Sequence, residues 1–345
     1  MPEGIGVVVL KKSAYHRLAL IACLLAFVVV VLGAFTRLSD AGLGCPDWPG
    51  CYGKAAPALA KDAIARAVAR QGGEHGPVSL GKAWREMGHR YLAGTLGLLI
   101  AAIGLLGWLW RRALAQSAWL PTAIVLVVAL QAALGMWTVT LLLRPAVVTA
   151  HLAGGMTTFA LLLWLALRQW RFDPAPEARS LRAPAAVGLC IVAIQILLGG
   201  WVSANYAALA CPDLPLCLGE IVPPMDFSNA FHLFRELGHT EGGAMLPLEA
   251  LTAIHWIHRV FALVVVTVVG WTAWSTLQVS ALRPLGRLLA GLLALQFSLG
   301  VANVLAGLPL AVADAHNAGA ALLLGSLVVL NFFAFHGLRP RRSKA

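Results

Sequence analysis

Eight long apolar segments dominate the sequence, and each is near the length of about 20 residues that a helix needs to cross a bilayer. Of the 345 residues, 59% are hydrophobic and only 12% are charged, whereas ordinary soluble domains carry about 25% charged residues. The pattern therefore predicts an all-α membrane protein with eight transmembrane helices. The predicted spans are 16–36, 86–109, 119–142, 147–168, 184–204, 251–277, 287–307 and 312–336.

The basic residues indicate how the chain is oriented. The net charge of +11 comes from residues that lie between the apolar segments, so no single basic face suggests nucleic acid as a partner. Lys and Arg gather at one set of span ends, which the positive-inside rule places in the cytoplasm together with both termini. We expect an integral protein of the bacterial cytoplasmic membrane. The residues that set this orientation are Lys11, Lys12, Arg17, Arg111, Arg112, Arg168, Arg171, Arg179, Arg182, Arg283, Arg287, Arg339, Arg341, Arg342 and Lys344.

Two long connections, about 38–84 and 205–250, are expected on the outer side, and each contains one pair of cysteines. Disulfides persist on the oxidising side of a membrane, so the identical spacing favours one disulfide in each connection. Two pairs of free thiols or a metal clip are the alternatives. The predicted pairs are Cys45 with Cys51 and Cys211 with Cys217, while Cys23 and Cys190 lie in apolar spans and are interpreted as packing residues.

The sequence also contains an internal repeat. Residues 32–53 align with 198–219, and His151-Leu-Ala-Gly aligns with His316-Asn-Ala-Gly. Each half has four spans, and an even number leaves both halves in the same orientation, which makes the repeat parallel. We therefore expect two tandem, pseudo-symmetric four-helix bundles. The expected bundles are 1–172 and 184–345, with 173–183 as a cytoplasmic linker.

Four histidines are expected at one depth near the outer surface: His89, His151, His258 and His316. A single membrane histidine usually makes an interhelical hydrogen bond, but four in repeat-matched positions favour a cofactor held between helices. No third or fourth protein ligand accompanies each pair, which argues against tetrahedral zinc. Two imidazoles fit a haem iron, because the porphyrin supplies the other four ligands.

Charged residues accompany two of these histidines. Glu86 and His89 are three residues apart and share a helix face, and Arg90 follows them. In the second half His255 takes the place of Glu86, and Arg259 takes the place of Arg90. The arginines could pair with haem propionates, or their guanidinium groups could reach the membrane interface. Arg37 is expected at the same level, with the same two interpretations.

One further polar segment and five further histidines are predicted to lie at the surface. Segment 226–239 could form an amphipathic surface helix. The remaining histidines are interpreted as solvated or interfacial: His16, His75, His232, His239 and His336.

Taken together, these motifs resemble haem A synthase, the membrane enzyme that oxidises haem O, over nearly the whole chain. Each motif alone would be weak, and the combination is specific. The residues that carry the resemblance are Thr36-Arg37-Leu38, the Cys45-Pro-Asp-Trp-Pro-Gly-Cys51 loop, Glu86-x-x-His89-Arg90, His151, the Cys211-Pro-Asp loop, Ile254-His255-x-x-His258-Arg259 and His316.

The resemblance implies a function for each half. The N-terminal half would take haem O as substrate, with His89 and His151 at its iron, and the C-terminal half would hold haem b. The C8 methyl group of haem O would become a formyl group, to give haem A for terminal oxidases. The family's catalytic carboxylate falls on Glu86, which could transfer protons beside the bound haem. Haem O synthase, terminal oxidase assembly factors and membrane lipid would be the partners, and His258 and His316 would ligate the haem b iron.

Two other functions share part of this pattern. A di-haem b cytochrome that only transfers electrons needs the four histidines but no carboxylate at position 86. A transporter would need broken helices and charges near the membrane midplane, whereas the ionisable residues of this chain lie at the ends of the spans.

Overall fold

The computed structural model describes residues 5–71, 73, 76 and 78–340, and most of this part of the chain is helical. Among these residues, eight helices are long and apolar enough to cross a membrane, which confirms an all-α membrane protein with eight spans. The expectations for His75, Arg341, Arg342 and Lys344 lie outside the described residues. The long helices are α1 (Ile5–Leu38), α3 (Leu80–Leu109), α5 (Trp119–Thr140), α6 (Pro145–Arg168), α7 (Arg182–Ala204), α9 (Leu248–Gln278), α10 (Arg283–Leu305) and α11 (Leu310–His336), and the short ones are α2 (Lys61–Arg70), α4 (Arg111–Leu114) and α8 (Phe227–Ala230).

The helix ends differ from the predicted spans for local reasons. Helix α3 begins six residues before the predicted span because the side chain of Ser79 accepts a hydrogen bond from the backbone N–H of Lys82 at 3.1 Å, which caps the first turn. Helix α5 ends two residues early because Leu142 and Leu143 adopt left-handed backbone conformations, with φ of 51° and 59°. Polar capping and turn geometry therefore set the ends, while apolar length sets the spans.

The long helices pack around two apolar cores. One core lies among α1, α3, α5 and α6 and includes the fully buried Ile100 and Leu162. The other lies among α7, α9, α10 and α11 and includes Val269 and Leu327. Helices α1 and α6 both contact α11, and α6 also contacts α7, so these four helices join the two groups. The tandem relationship of the halves stays a prediction.

The chain between α6 and α7 is tied to the end of α11. Strand β1 (Asp173–Pro174) pairs antiparallel with strand β2 (Leu338–Arg339). A short 3-10 helix, Pro176–Leu181, then leads into α7. The segment expected to be the linker is therefore packed against the last transmembrane helix.

The prediction of a surface helix over 226–239 is wrong beyond its first turn. Helix α8 is capped by Asp226, whose side chain accepts from the backbone N–H of Asn229 at 3.1 Å. The amide of Asn229 also lowers the pKa of Asp226 to about 2. Beyond α8 the chain turns inward, because the buried guanidinium of Arg235 donates to the side chain of Asn205. The residues from Phe231 to His239 are therefore irregular and not helical.

Close packing of α3 against α5 gives a direct test of the fold. A Cβ atom on Gly104 would lie 2.7 Å from a methyl carbon of Val125. We expect Gly104→Val to destabilise the protein by about 1–3 kcal/mol through overpacking, measured as a lower thermal unfolding midpoint in detergent. Gly94→Val is the control, because a Cβ on Gly94 of the same helix meets no atom within 4 Å. Equal effects of both substitutions would contradict this packing.

Candidate functional site

The two cysteine loops and the four predicted histidines lie at the same end of the helices, which we call the loop end. His89 is nine residues from the start of α3, and His258 is ten residues from the start of α9. His151 and His316 are each six residues from the starts of α6 and α11. At 1.5 Å per residue these positions lie about 9–15 Å inside the helix ends. The four imidazoles therefore share a similar depth.

Each of these imidazoles packs against a glycine of a neighbouring helix. A Cβ at each glycine would lie at or below the usual limit of close contact with the ring, so a larger side chain would have to displace the imidazole. The distances from an ideal glycine Cβ to the histidine Cε1 are 2.9 Å for Gly33 and His89, 3.2 Å for Gly135 and His151, 3.0 Å for Gly199 and His258, and 3.2 Å for Gly300 and His316.

The histidines form two pairs, one in each group of helices. His89 lies close enough to His151 to interact electrostatically, and His258 is similarly close to His316. In the described part of the chain, the Nδ1 atom of all four is buried without a hydrogen-bond partner. An interhelical hydrogen bond through this atom, the simplest structural role for such residues, is therefore not seen.

The geometry agrees with a ligand that needs only two protein donors. Within residues 5–71, 73, 76 and 78–340, no group of three or more His, Cys, Asp or Glu residues could hold a metal ion. The pairs fit an iron that brings its own equatorial ligands.

Sequence reasoning did not assign a role to two glutamines beside these pairs. Nε2 of Gln296 lies 3.3 Å from Nε2 of His316. Gln131 packs so closely on Gly154 that a Cβ there would overlap it, at 1.8 Å. The signal was present in the repeat, where each glutamine precedes a histidine-contacting glycine by four residues.

Glu86 connects the first cysteine loop to α3. Cys45 is bonded to Cys51, and the backbone N–H of Cys45 donates to Oε2 of Glu86 at 2.8 Å. The other carboxylate oxygen pairs with the guanidinium of Arg90. Both side chains are largely buried, and removing one partner of a buried ion pair typically costs about 3–5 kcal/mol. The carboxylate that is predicted to be catalytic therefore also holds the first cysteine loop against α3.

Arg90 and Arg259 hold the two loops in the same way. Nη1 of Arg90 donates to the carbonyls of Asp47 at 2.7 Å and Gly50 at 2.6 Å. Nη2 of Arg259 donates to the carbonyls of Asp213 at 2.7 Å and Leu216 at 3.1 Å. Nη1 of Arg259 is buried and has no partner among the described residues, so one donor stays free. The propionate role of both arginines stays a prediction.

In the second half, His255 binds the cysteine loop as Glu86 does in the first half. Its Nδ1 accepts from the backbone N–H of Cys211 at 3.3 Å, and Cys211 is bonded to Cys217. Because Nδ1 accepts, the proton of the neutral ring must be on Nε2. In both halves a backbone N–H of the cysteine loop therefore donates to a helix side chain. The acceptor is a carboxylate in the first half and an imidazole in the second.

Each loop is closed by an aspartate that the sequence analysis treated only as part of a motif. Asp47 accepts from the backbone N–H of Gly53 at 2.7 Å, and Asp213 accepts from that of Gly219 at 2.8 Å. Both glycines have positive φ, 72° and 80°, which other residues rarely adopt. The bond from Gly219 is the main reason that the pKa of Asp213 is lowered. The Cys-Pro-Asp spacing was the available signal.

Arg37 lies in a contact between the halves and is not directed to a loop. It donates to the carbonyl of Ser203 at 2.7 Å, and its guanidinium lies 3.8 Å from the centre of the Tyr206 ring. The hydroxyl of Tyr206 donates to Asp40 at 2.6 Å. This contact joins the loop ends of α1 and α7, and it was not foreseen.

The remaining histidines of the described part of the chain contact aromatic rings or nearby loop residues. His16 meets the ring of Trp170 edge-on, and His336 lies 4.5 Å from the ring of Phe332. In the second connection His232 is 3.0 Å from Glu241, and Nδ1 of His239 is 3.1 Å from the carbonyl of Leu237.

The cysteine pairing leads to a thiol count. The chain has six cysteines, and two disulfides use four of them, so two remain, Cys23 and Cys190. We expect two alkylated cysteines per chain when the protein is unfolded without reductant, and six after reduction, measured by mass spectrometry. Four or more alkylated cysteines without reductant would contradict the pairing.

Comparison with known proteins yields one family. Residues 16–328 match the COX15-CtaA family model, described as cytochrome oxidase assembly protein. The chain is 42% identical to a protein named Heme A synthase from Shewanella oneidensis, over 92% of this chain and 95% of the relative. It is 30% identical to a Heme A synthase from Rhizorhabdus wittichii, over 96% of both chains. A Heme A synthase from Caulobacter vibrioides is also 30% identical, over 93% of this chain and 95% of the relative.

Proposed function

Since the chain belongs to the COX15-CtaA family, we propose that it is a haem A synthase, an oxidoreductase that converts the C8 methyl group of haem O to a formyl group. The observation that carries this proposal is the pair of histidine sites, each seated on glycines beneath a tethered disulfide loop. The names of the relatives support the product. The two-ligand sites support haem as the group that is bound and changed.

We assign the substrate to residues 1–172 and the resident cofactor to residues 184–345. His89 and His151 would hold the iron of haem O, and His258 and His316 would hold haem b. When bound, haem b would pass the electrons of the oxidation one at a time to an external acceptor, and a co-substrate, water or dioxygen, would supply the oxygen atom of the formyl group. The free Nη1 of Arg259 offers a donor for a propionate group, and the loop above each pair limits the access of water.

The charge of Glu86 distinguishes the two halves. Oxidation of a methyl group removes protons as well as electrons, and the apolar bundle offers few proton acceptors. Glu86 lies one helical turn from His89 towards the loop end and is largely buried. Its counterpart His255 accepts a backbone hydrogen bond through Nδ1 and carries no carboxylate. We propose that Glu86 takes a proton from the substrate side, and that the N–H of Cys45 and Arg90 orient its oxygens.

A di-haem b cytochrome is the second candidate, and one observation favours it. Both oxygens of Glu86 already have protein partners, Cys45 and Arg90, as a purely structural carboxylate would. Expression of the chain in cells that make haem O but no haem A separates the two functions. Haem A in the extracted pigment, measured by chromatography, supports the synthase, whereas its absence from a protein that retains haem b supports the cytochrome.

We place the termini in the cytoplasm and the cysteine loops outside, from the distribution of basic residues. Haem O must reach a site within the membrane, and haem A must leave it. We therefore propose haem O synthase as the supplier and terminal oxidase assembly factors as the recipients.

Glu86→Gln tests the proton-transfer role. Gln keeps the shape and accepts the hydrogen bond from Cys45, but it takes no proton. We expect the variant to fold and keep the haem b spectrum, while haem A formation falls by about two to four orders of magnitude. Haem A formation at the wild-type level by Glu86→Gln would show that the carboxylate is structural only.

Gly199→Val tests the haem b site without changing a ligand. A Cβ on Gly199 would lie 3.0 Å from Cε1 of His258, so the larger side chain should displace the imidazole. Overpacking of about 1–3 kcal/mol corresponds to haem b binding weakened roughly five- to 150-fold, measured by absorption spectroscopy of purified protein. The control is Gly291→Val on α10, where a Cβ meets no atom within 4 Å.

Substitution of the proposed ligands should have a larger effect. His258→Ala and His316→Ala are each expected to abolish the low-spin haem b spectrum while the helical content is unchanged. A complete and unaltered spectrum in both variants would exclude these residues as ligands.

A further inference from the structure

A cavity of about 330 Å³ lies far from the histidine sites, where α3 ends and α5 begins. The turn between these helices contains α4, and Ala115 closes it with a left-handed conformation, φ 52°. No acidic side chain is among the residues around the cavity, and two arginines are. The lining residues are Trp108, Arg111, Arg112, Gln116, Ser117, Ala118 and Trp119.

The two arginines have no anionic partner. Arg111 and Arg112 are exposed, and neither forms an ion pair with any described residue. The guanidinium of Arg111 lies 5.7 Å from the centre of the Trp108 ring, which holds it beside the cavity. Two adjacent guanidinium groups without carboxylates make a site that is selective for an anion.

Gln116 supplies a further donor. Nε2 of Gln169 donates to the carbonyl of Leu165 at 3.3 Å and to Oε1 of Gln116 at 2.8 Å. Gln169 is therefore the donor in the amide pair, so the orientation of the Gln116 amide is fixed by its surroundings. Nε2 of Gln116 is buried and has no partner in the described part of the chain.

The first turn of α5 also favours an anion at this cavity. Ser117 accepts from the backbone N–H of Trp119 at 3.3 Å, which leaves the proton of its hydroxyl group free to donate. Ala118 and Trp119 stand at the N-terminus of a helix of 22 residues, where the helix dipole favours negative charge. The side chains and this helix end therefore favour the same kind of ligand.

The tryptophans indicate that the ligand is also amphipathic. The indole N–H of Trp108 donates to Thr122 at 2.8 Å, and its ring meets that of Trp119 edge-on at 6.1 Å. Trp119 is 72% exposed at the end of a membrane-spanning helix. Tryptophan is enriched at this level, where lipid headgroups and acyl chains meet.

The matching turn of the second half lacks these features. At the shift of 169 residues that relates Arg90 to Arg259, the positions of Arg111 and Arg112 are occupied by Ser280 and Ala281. The nearest arginine there, Arg283, donates to the carbonyl of Leu277 at 3.2 Å. The arginine pair is therefore a feature of one turn and not of every turn at this end.

We propose that this cavity binds the phosphate group of an anionic phospholipid, with Arg111, Arg112 and Gln116 as donors and the two tryptophans against the glycerol and upper acyl chains. Basic pockets between transmembrane helices bind such headgroups in other membrane proteins. The proposal does not depend on the haem chemistry.

The test uses full-length protein purified in neutral detergent, with binding of phosphatidylglycerol and phosphatidylcholine followed by native mass spectrometry. The double variant Arg111→Gln, Arg112→Gln should bind phosphatidylglycerol about thirty-fold more weakly, since each basic residue at an anionic surface contributes about a factor of five. The control is Arg283→Gln with Arg287→Gln, which removes the same charge at the same end of the molecule and should bind as the wild type does.

The outcomes are distinguishable. Equal losses in both double variants, or equal binding of phosphatidylcholine by the wild type, would overturn the site. Competition by inorganic phosphate at the concentration of the lipid would show a free-anion site and would overturn the lipid assignment. If the Gln pair does not fold, judged by circular dichroism, Arg111→Lys with Arg112→Lys replaces it. That pair keeps the charge but loses the planar guanidinium fork, and it should still bind more weakly than the wild type.

Discussion

Polar groups inside an apolar helix bundle need protein partners, because lipid supplies no hydrogen bonds. The loop end of this protein meets that requirement with the backbone of its own cysteine loops. Glu86 accepts from Cys45, and His255 accepts from Cys211, while an arginine one turn away donates to the carbonyls of the same loop. Each loop is thereby fixed over one group of helices. Its disulfide closes only a small ring, and the contacts to the helix decide where that ring lies.

The four imidazoles differ from these polar side chains, which are hydrogen-bonded to the cysteine loops. Their positions are set by glycines on neighbouring helices, yet each keeps a buried Nδ1 without a protein partner. A ring that is held in place sterically while its Nδ1 has no hydrogen bond suits a side chain whose polar role is completed by a ligand. The proposed haem sites follow from this combination, and the fixed loops would then keep water away from the porphyrin.

The two halves contact each other through α1, α6, α7 and α11. Arg37 and Asp40 at the end of α1 contact Ser203 and Tyr206 at the end of α7, and α6 packs against both α7 and α11. The halves also differ in charge at their loop ends, through Glu86 and His255, and that difference supports the proposal that substrate and cofactor bind to separate halves.

The sequence by itself determined the eight spans, the cysteine pairs and the common depth of the histidines. These follow from apolar length, spacing and position along a helix, which are local properties of the chain. It did not determine what Arg37, Arg90 and Arg259 contact, or that residues after Phe227–Ala230 leave the helix. Those outcomes depend on which loop carbonyls and side chains turn towards the bundle, as Arg235 does towards Asn205. Only the tertiary structure decides them, because a polar side chain near a membrane surface has water, lipid headgroups and backbone as competing partners, and the fold selects among these.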